Sequence, residues 1–141
     1  MYNLKHVLVL LSMIFFISTP PSGKTGELKN YQCTKCGALM QSNSKPSTLG
    51  CPSGGSHQWN ELGEVGTENY QCTKCKTHVI SRQKPNTLGC PSGSSHKWND
   101  LGKIGSDTYQ CQKCGLTIHS NGKPNTLGCN SGSHQWNKLN R

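Results

Sequence analysis

Beyond the N-terminal segment, apolar residues occur in short runs separated by Gly, Pro, Ser and Asn. Three of these runs lie at residues 38–42, 77–81 and 116–120, and each follows a pair of cysteines. Short apolar runs bounded by turn residues predict β-strands. Met40, Val79 and Ile118 occupy equivalent positions in the three runs, and we expect all three side chains to point inward.

A second set of short segments begins with histidine and contains the three tryptophans of the chain, at residues 57–62, 96–101 and 134–139. Alternation places Trp59, Trp98 and Trp136 on one side of a returning strand. Nothing after residue 23 reads as a helix of useful length. The pattern therefore predicts a small, mostly β protein.

The N-terminal segment differs from the rest of the chain. Lys5 and His6 precede an apolar run at residues 7–17, which is followed by small residues and prolines. This arrangement is typical of a secretory signal peptide, and the run is short of the roughly 20 residues that span a bilayer. We predict a signal peptide at residues 1–23 and a secreted protein; an uncleaved N-terminal anchor is the alternative.

The remainder of the chain repeats itself with a period of 39 residues. The period relates Tyr31, Tyr70 and Tyr109, and it also relates the Lys-Pro and Leu-Gly pairs of the three copies. A fixed period of this size indicates tandem copies of one unit. We predict three modules, at residues 24–64, 65–103 and 104–141.

Each module contains three cysteines in the pattern C-x2-C-x14-C and a histidine shortly after the third cysteine. Three thiolates and one imidazole are the donor set of a tetrahedral metal site, whereas a disulfide framework would leave one thiol over in each module. Exported cysteines usually oxidise, so disulfides remain the alternative. A redox C-x-x-C pair would need a neighbouring βαβ pattern, which is not seen. The predicted ligands of three Zn²⁺ ions, one per module, are Cys33, Cys36, Cys51, His57, Cys72, Cys75, Cys90, His96, Cys111, Cys114, Cys129 and His134.

The first cysteine pair of each module, as in "YQCTKCG" at residues 31–37, together with the later "GCP", resembles the zinc-ribbon and rubredoxin-like group. The resemblance implies two metal-binding knuckles on β-hairpins in each module. The second knuckle departs from a rubredoxin-like C-P-x-C, because Cys51-Pro52 is followed by a wider loop to His57. Histidine in place of the fourth thiolate favours redox-inert zinc over an iron electron carrier.

Only 31% of the residues are hydrophobic and 6% are aromatic, so each module has a very small core. We expect metal binding to supply much of the stability. The tryptophans and tyrosines have two possible roles, as cover for the metal sites or as stacking platforms for a ligand.

The formal net charge is +9, and Lys35, Lys74 and Lys113 recur at equivalent positions, as do the lysines of the Lys-Pro pairs. With the signal peptide removed, nine thiolates and three divalent ions bring the net charge to about +5. A repeated positive face favours an anionic partner, although ordinary solvated lysines explain the same pattern.

No pair of carboxylates recurs at a repeated position, and the cysteines are needed for metal. The sequence therefore predicts no catalytic residues and no organic cofactor site, and we do not expect the protein to be an enzyme. It predicts a binding module with structural zinc and an extracellular partner: a polyanion, a glycan or a protein. The alternatives are a nucleic-acid-binding protein, if the chain is not exported, and a zinc-buffering protein.

Overall fold

A computed structural model describes residues 26–129 and 132–140 of the chain. The predicted signal peptide lies outside these residues, and the structure does not test it. Within the described ranges, no helix is long and apolar enough to cross a membrane.

The described residues form nine strands, arranged as three similar antiparallel sheets of three strands each. The strands are β1 (Lys29–Cys33), β2 (Leu39–Ser42), β3 (Trp59–Glu64), β4 (Glu68–Cys72), β5 (His78–Ser81), β6 (Trp98–Lys103), β7 (Asp107–Cys111), β8 (Thr117–Ser120) and β9 (Trp136–Lys138). This confirms the mostly β prediction. Each sheet falls inside one predicted module, while the module boundaries themselves stay predictions.

In each sheet the strand that comes first in the chain is central and pairs with the other two. The orders are β2-β1-β3, β5-β4-β6 and β8-β7-β9. In the first sheet Cys33 pairs with Trp59, so the strand that ends at the first cysteine runs beside the strand that begins just after the histidine. The topology therefore brings the two halves of each Cys3His set to the same end of the sheet.

In each of the first two modules, the third strand contains a β-bulge that leaves one leucine unpaired with the central strand. Asn30 pairs with Gly63 and Tyr31 with Glu61, so Leu62 is the extra residue; Leu101 is the equivalent residue in the second module. Leu62 is 1% exposed and packs with Tyr70, Cys72, Val79, Cys90 and Trp98. All five belong to the second module, so the core of that module is completed by a leucine from the module before it.

Hydrogen bonds repeat at the two junctions between modules. The Asn86 backbone N–H donates to the Leu62 carbonyl (2.7 Å), as Asn125 N–H does to Leu101 (3.2 Å). The buried side-chain amide of Asn30 donates to the Ile80 carbonyl (2.9 Å), and the equivalent amide of the second module makes the corresponding bond in the third. The three modules therefore form one regular stack.

The stack explains why one predicted core residue is exposed. Val79 and Ile118 are each 2% exposed, as predicted, but Met40 is 47% exposed and the prediction for it was wrong. In the second module, Leu62 of the preceding module covers the equivalent position. Within the described residues, no such module precedes Met40.

Replacing Gly89 by alanine should destabilise the stack more than replacing its equivalent, Gly50. Both glycines have a positive φ, +75° and +76°, so both substitutions carry a similar backbone cost of about 1–2 kcal/mol. A Cβ at Gly89 would lie 2.8 Å from Thr34 Cγ2 and 3.1 Å from the Asn60 amide, which donates to the Leu88 carbonyl. No atom of the described part of the chain lies within 4 Å of a Cβ at Gly50. We expect Gly89→Ala to lower the free energy of unfolding by about 1 kcal/mol more than Gly50→Ala does, which is the value of one lost hydrogen bond. Thermal unfolding of the metal-loaded chain measures the difference. Equal losses would contradict a packed junction.

Candidate metal centres

The first two cysteines of each module lie on a tight turn that follows the central strand. Gly37 N–H donates to the Cys33 carbonyl and Cys33 N–H donates to the Ala38 carbonyl, both at 2.9 Å. The turn needs a left-handed residue, and Gly37 and Gly115 both have φ of +75°. Lys76 fills this position in the second module with φ of +64°. Glycine adopts this conformation without steric cost because it has no Cβ, and the lysine adopts it at an energetic cost.

The third cysteine and the histidine are held by the loop that leads into the last strand. In each module the backbone N–H of the histidine donates to the carbonyl of a threonine at 2.6 Å; these threonines are Thr48, Thr87 and Thr126. The neighbouring tryptophan ring stacks on the imidazole, with centroids 4.6–4.7 Å apart. Its indole N–H donates to the same loop, for example from Trp59 to the Ser47 carbonyl at 2.7 Å. The tryptophans thus cover and orient the histidines.

The structure brings the twelve predicted ligands together in three groups, one per module, and the donor atoms of each group all lie within 4.8 Å of one another. In every group the histidine Nδ1 is 3.5 Å from the sulfur of the second cysteine. Cys111 Sγ lies 3.9 Å from Cys129 Sγ. A tetrahedral ion with bonds of about 2.3 Å to sulfur and about 2.0 Å to nitrogen has sulfur–nitrogen and sulfur–sulfur edges of about 3.5 and about 3.8 Å. The three Cys3His groups therefore fit a bound metal ion.

The ionisation of the thiols shows why such a group favours a cation. Burial acts to raise the pKa of Cys111, but hydrogen bonds from the Cys114 backbone and the His134 ring outweigh it and lower that pKa to about 6. Cys33 also has its pKa lowered to about 6 against the effect of burial. Burial raises the pKa of Cys114 to about 11, and the neighbouring sulfurs add to the effect; Cys90 is raised to about 11 in the same way. One thiolate forms readily in such a group, and a metal ion stabilises the others. No disulfide joins any of the nine cysteines, all of which lie within the described residues.

The second nitrogen of the histidine connects the third centre to the neighbouring module. His134 Nε2 lies 2.9 Å from Gln71 Oε1, and both residues are buried. The equivalent atoms at the first junction, His96 Nε2 and Gln32 Oε1, are buried and have no hydrogen-bond partner among the residues that the structure describes. Gln32 instead donates to the Thr77 hydroxyl at 2.5 Å.

One residue differs between the two junctions and holds the Gln32 amide in its orientation through the amide nitrogen. Position 77 is threonine in the second module, and the equivalent residue of the third module is Leu116, which has no hydroxyl to accept a bond. Gln71 is therefore available to His134. A partner on the second nitrogen fixes the tautomer and orientation of a metal-bound histidine, so this contact belongs to the centre although it comes from another module.

Comparison with known proteins finds no family, no curated protein and no solved structure that matches the chain. The fold and the sites define a protein of three tandem β-modules, each with a Cys3His group able to hold a metal ion.

Sequence reasoning predicted all twelve residues of the three groups and missed their supports from the neighbouring module. The signal was present, because Gln32, Gln71 and Gln110 share the 39-residue period, as do Leu62 and Leu101. The period alone does not say whether such a residue contacts its own module or the next.

Replacing Gln71 by leucine should weaken metal binding at the third centre, because His134 loses its hydrogen-bond partner. We expect an approximately tenfold to hundredfold loss of affinity at that centre, the usual effect of removing an outer-shell partner. Chelator competition that counts the ions released per chain measures it. Gln32→Leu is the matched control, since Gln32 makes no hydrogen bond to His96, and it should leave the affinity of the second centre nearly unchanged. Equal effects of the two substitutions would contradict this role for Gln71.

Proposed function

We propose that the three Cys3His groups hold structural Zn²⁺ and that the chain is an exported interaction module, which binds an extended protein segment along the surface that its modules repeat. The zinc part rests on the donor set. Three thiolates and one imidazole at tetrahedral distances suit zinc, and four protein ligands leave no position open for a reacting water.

A row of exposed leucines carries the proposal of a protein partner. Leu49, Leu88 and Leu127 occupy equivalent loop positions and are 80%, 63% and 58% exposed. Each lies four residues after an exposed lysine, at Lys45, Lys84 or Lys123. Isolated exposed leucines need no explanation, but recurrence in each of three stacked modules supports a shared role. We call the loops at residues 45–50, 84–89 and 123–128 the leucine loops.

A groove accompanies the leucine loop at each junction. The groove between the second and third modules has a volume of about 440 Å³ and includes Asp100, Lys123 and Asn125 in its lining. The groove between the first and second modules, of about 340 Å³, is lined by the equivalent residues Glu61, Lys84 and Asn86. A carboxylate, an ammonium group and an amide in the groove, with an exposed leucine in the same loop as the last two, suit the mixed polar and apolar chemistry of a polypeptide.

The same observations make the other partners less suitable. A purely anionic polymer would meet the carboxylate in each groove. A glycan platform would need exposed aromatic faces, whereas each tryptophan has one face on a histidine and its N–H bonded to a loop carbonyl. Three equivalent contacts on one chain would add avidity to a weak single contact. The positive net charge of the chain favours a segment with acidic residues.

Selection of random peptides displayed on phage against the zinc-loaded chain tests the proposal. We expect selected peptides to combine acidic and apolar residues and to bind at least tenfold more weakly to the double variant Leu88→Ser/Leu127→Ser, because the apolar contacts are lost. Leu28→Ser is the matched control, since Leu28 is 52% exposed and lies outside the leucine loops. Zinc content measured on each variant shows whether the centres are intact.

Other results would replace the proposal. Peptide binding that is insensitive to both leucines would exclude the leucine loops. Binding of heparin or of DNA that falls with salt and depends on Lys84 and Lys123, with no peptide selected, would establish a polyanion partner. Rapid exchange of zinc with a chelator, with no peptide or polyanion bound, would favour zinc buffering.

A further inference from the structure

The two ends of the stack expose the two halves of the contact that each internal junction buries. Leu139 is the equivalent of Leu62 and Leu101, which are 1% and 0% exposed, yet Leu139 is 50% exposed. Met40 is the equivalent of Val79, which packs against Leu62, and Met40 is 47% exposed. Within residues 26–129 and 132–140, therefore, no further module covers Leu139 and no leucine of a preceding module covers Met40.

Polar groups follow the same pattern. Gln32 and Gln71 are buried at the internal junctions, whereas Gln110 at the C-terminal end is exposed. His96 and His134 are 4% and 3% exposed, and Gln71 of the preceding module contacts His134, while His57 is only half-buried. Each end therefore keeps the residues of a junction rather than replacing them with charged groups, as terminal repeats of stacked proteins commonly do.

We propose that the chain binds a second copy of itself head to tail, with Leu139 of one copy in the socket of the first module of the next. The socket is formed by Tyr31, Met40 and Trp59, the equivalents of three residues that pack around Leu62. By the pattern of the internal junctions, Gln110 faces His57 of the next copy, and the Leu139 carbonyl accepts from the Ser47 N–H. The contact continues an interface that the chain already contains twice.

The junction between copies is weaker than the internal ones. Asn30 and Asn69 each donate a side-chain hydrogen bond across an internal junction, and the equivalent residue of the third module is Thr108. The hydrogen bond from an amide therefore cannot form between copies. Asn140 replaces a glycine, and its side chain bonds to Thr108 N–H (2.6 Å) and the Ser106 carbonyl (3.0 Å) within its own module. Two separate copies also lose translational and rotational entropy when they associate. Covalently linked modules do not have this cost at their internal junctions. Assembly therefore depends on concentration, and because the two faces differ, it grows into chains rather than stopping at a symmetric dimer.

Sedimentation velocity of the zinc-loaded chain over a concentration series tests the proposal with two variants. Met40→Glu removes the socket and leaves the other end intact, and Leu139→Glu removes the leucine and leaves the socket intact. We expect the unmodified chain to form a series of oligomers and each variant alone to remain monomeric. An equimolar mixture of the two variants should form a dimer containing one copy of each, with nothing larger.

Lys97→Glu is the control, because it adds a carboxylate to an exposed site in the middle module and should leave assembly unchanged. Both substituted end residues are exposed, and three bound ions per chain in each variant show that the modules remain folded. An unmodified chain that stays monomeric at every concentration overturns the proposal, whether the end is simply free or is covered by residues 1–25. A dimer formed by either variant alone also overturns the proposal. Each variant keeps only one of the two unlike faces, so such a dimer would require a face that binds to its own copy. Peptide binding plays no part in this experiment, so failure of the proposed function leaves its result unaffected.

Discussion

Three buried or half-buried thiols and one imidazole within 4.8 Å of one another are the constraint on which each module depends. Burial disfavours a charged thiolate and repulsion from neighbouring sulfurs adds to that cost, and both raise the pKa values of Cys90 and Cys114. A bound cation removes the repulsion and joins the turn after the first strand to the loop before the last one. A chain with so few apolar residues has little else to hold those two segments together.

The second source of stability is shared between modules rather than contained in each. Leu62 completes the core of the second module, and Gln71 orients a histidine of the third. Metal binding and stacking are therefore linked, because the residues that hold an ion lie beside the residues that hold the neighbouring module. A protein built this way is stable as an array, and its outer surface repeats at every step. Because the surface repeats, the leucine loops and the two ends of the stack are the surfaces for which we propose partners.

The sequence was sufficient to predict what lies within a module. The grouping of the cysteines and histidines into three Cys3His sets and the short strands follow from spacing and residue type, and the structure agrees with both. What it could not predict is what lies between modules. The inward direction expected for Met40 was wrong because burial there requires a preceding module. The burial of Leu62 depends on a bulge that shifts the pairing by one residue, and alternation alone does not reveal such a shift.

Native mass spectrometry of the chain, with a parallel count of reactive thiols after denaturation, tests whether metal ions rather than disulfides hold the modules together. We expect three Zn²⁺ ions per chain and nine thiols that react after denaturation, with all three ions lost together with the fold when a strong chelator is added. A chain that carries disulfides, binds no metal and keeps its fold in the presence of the chelator would contradict it.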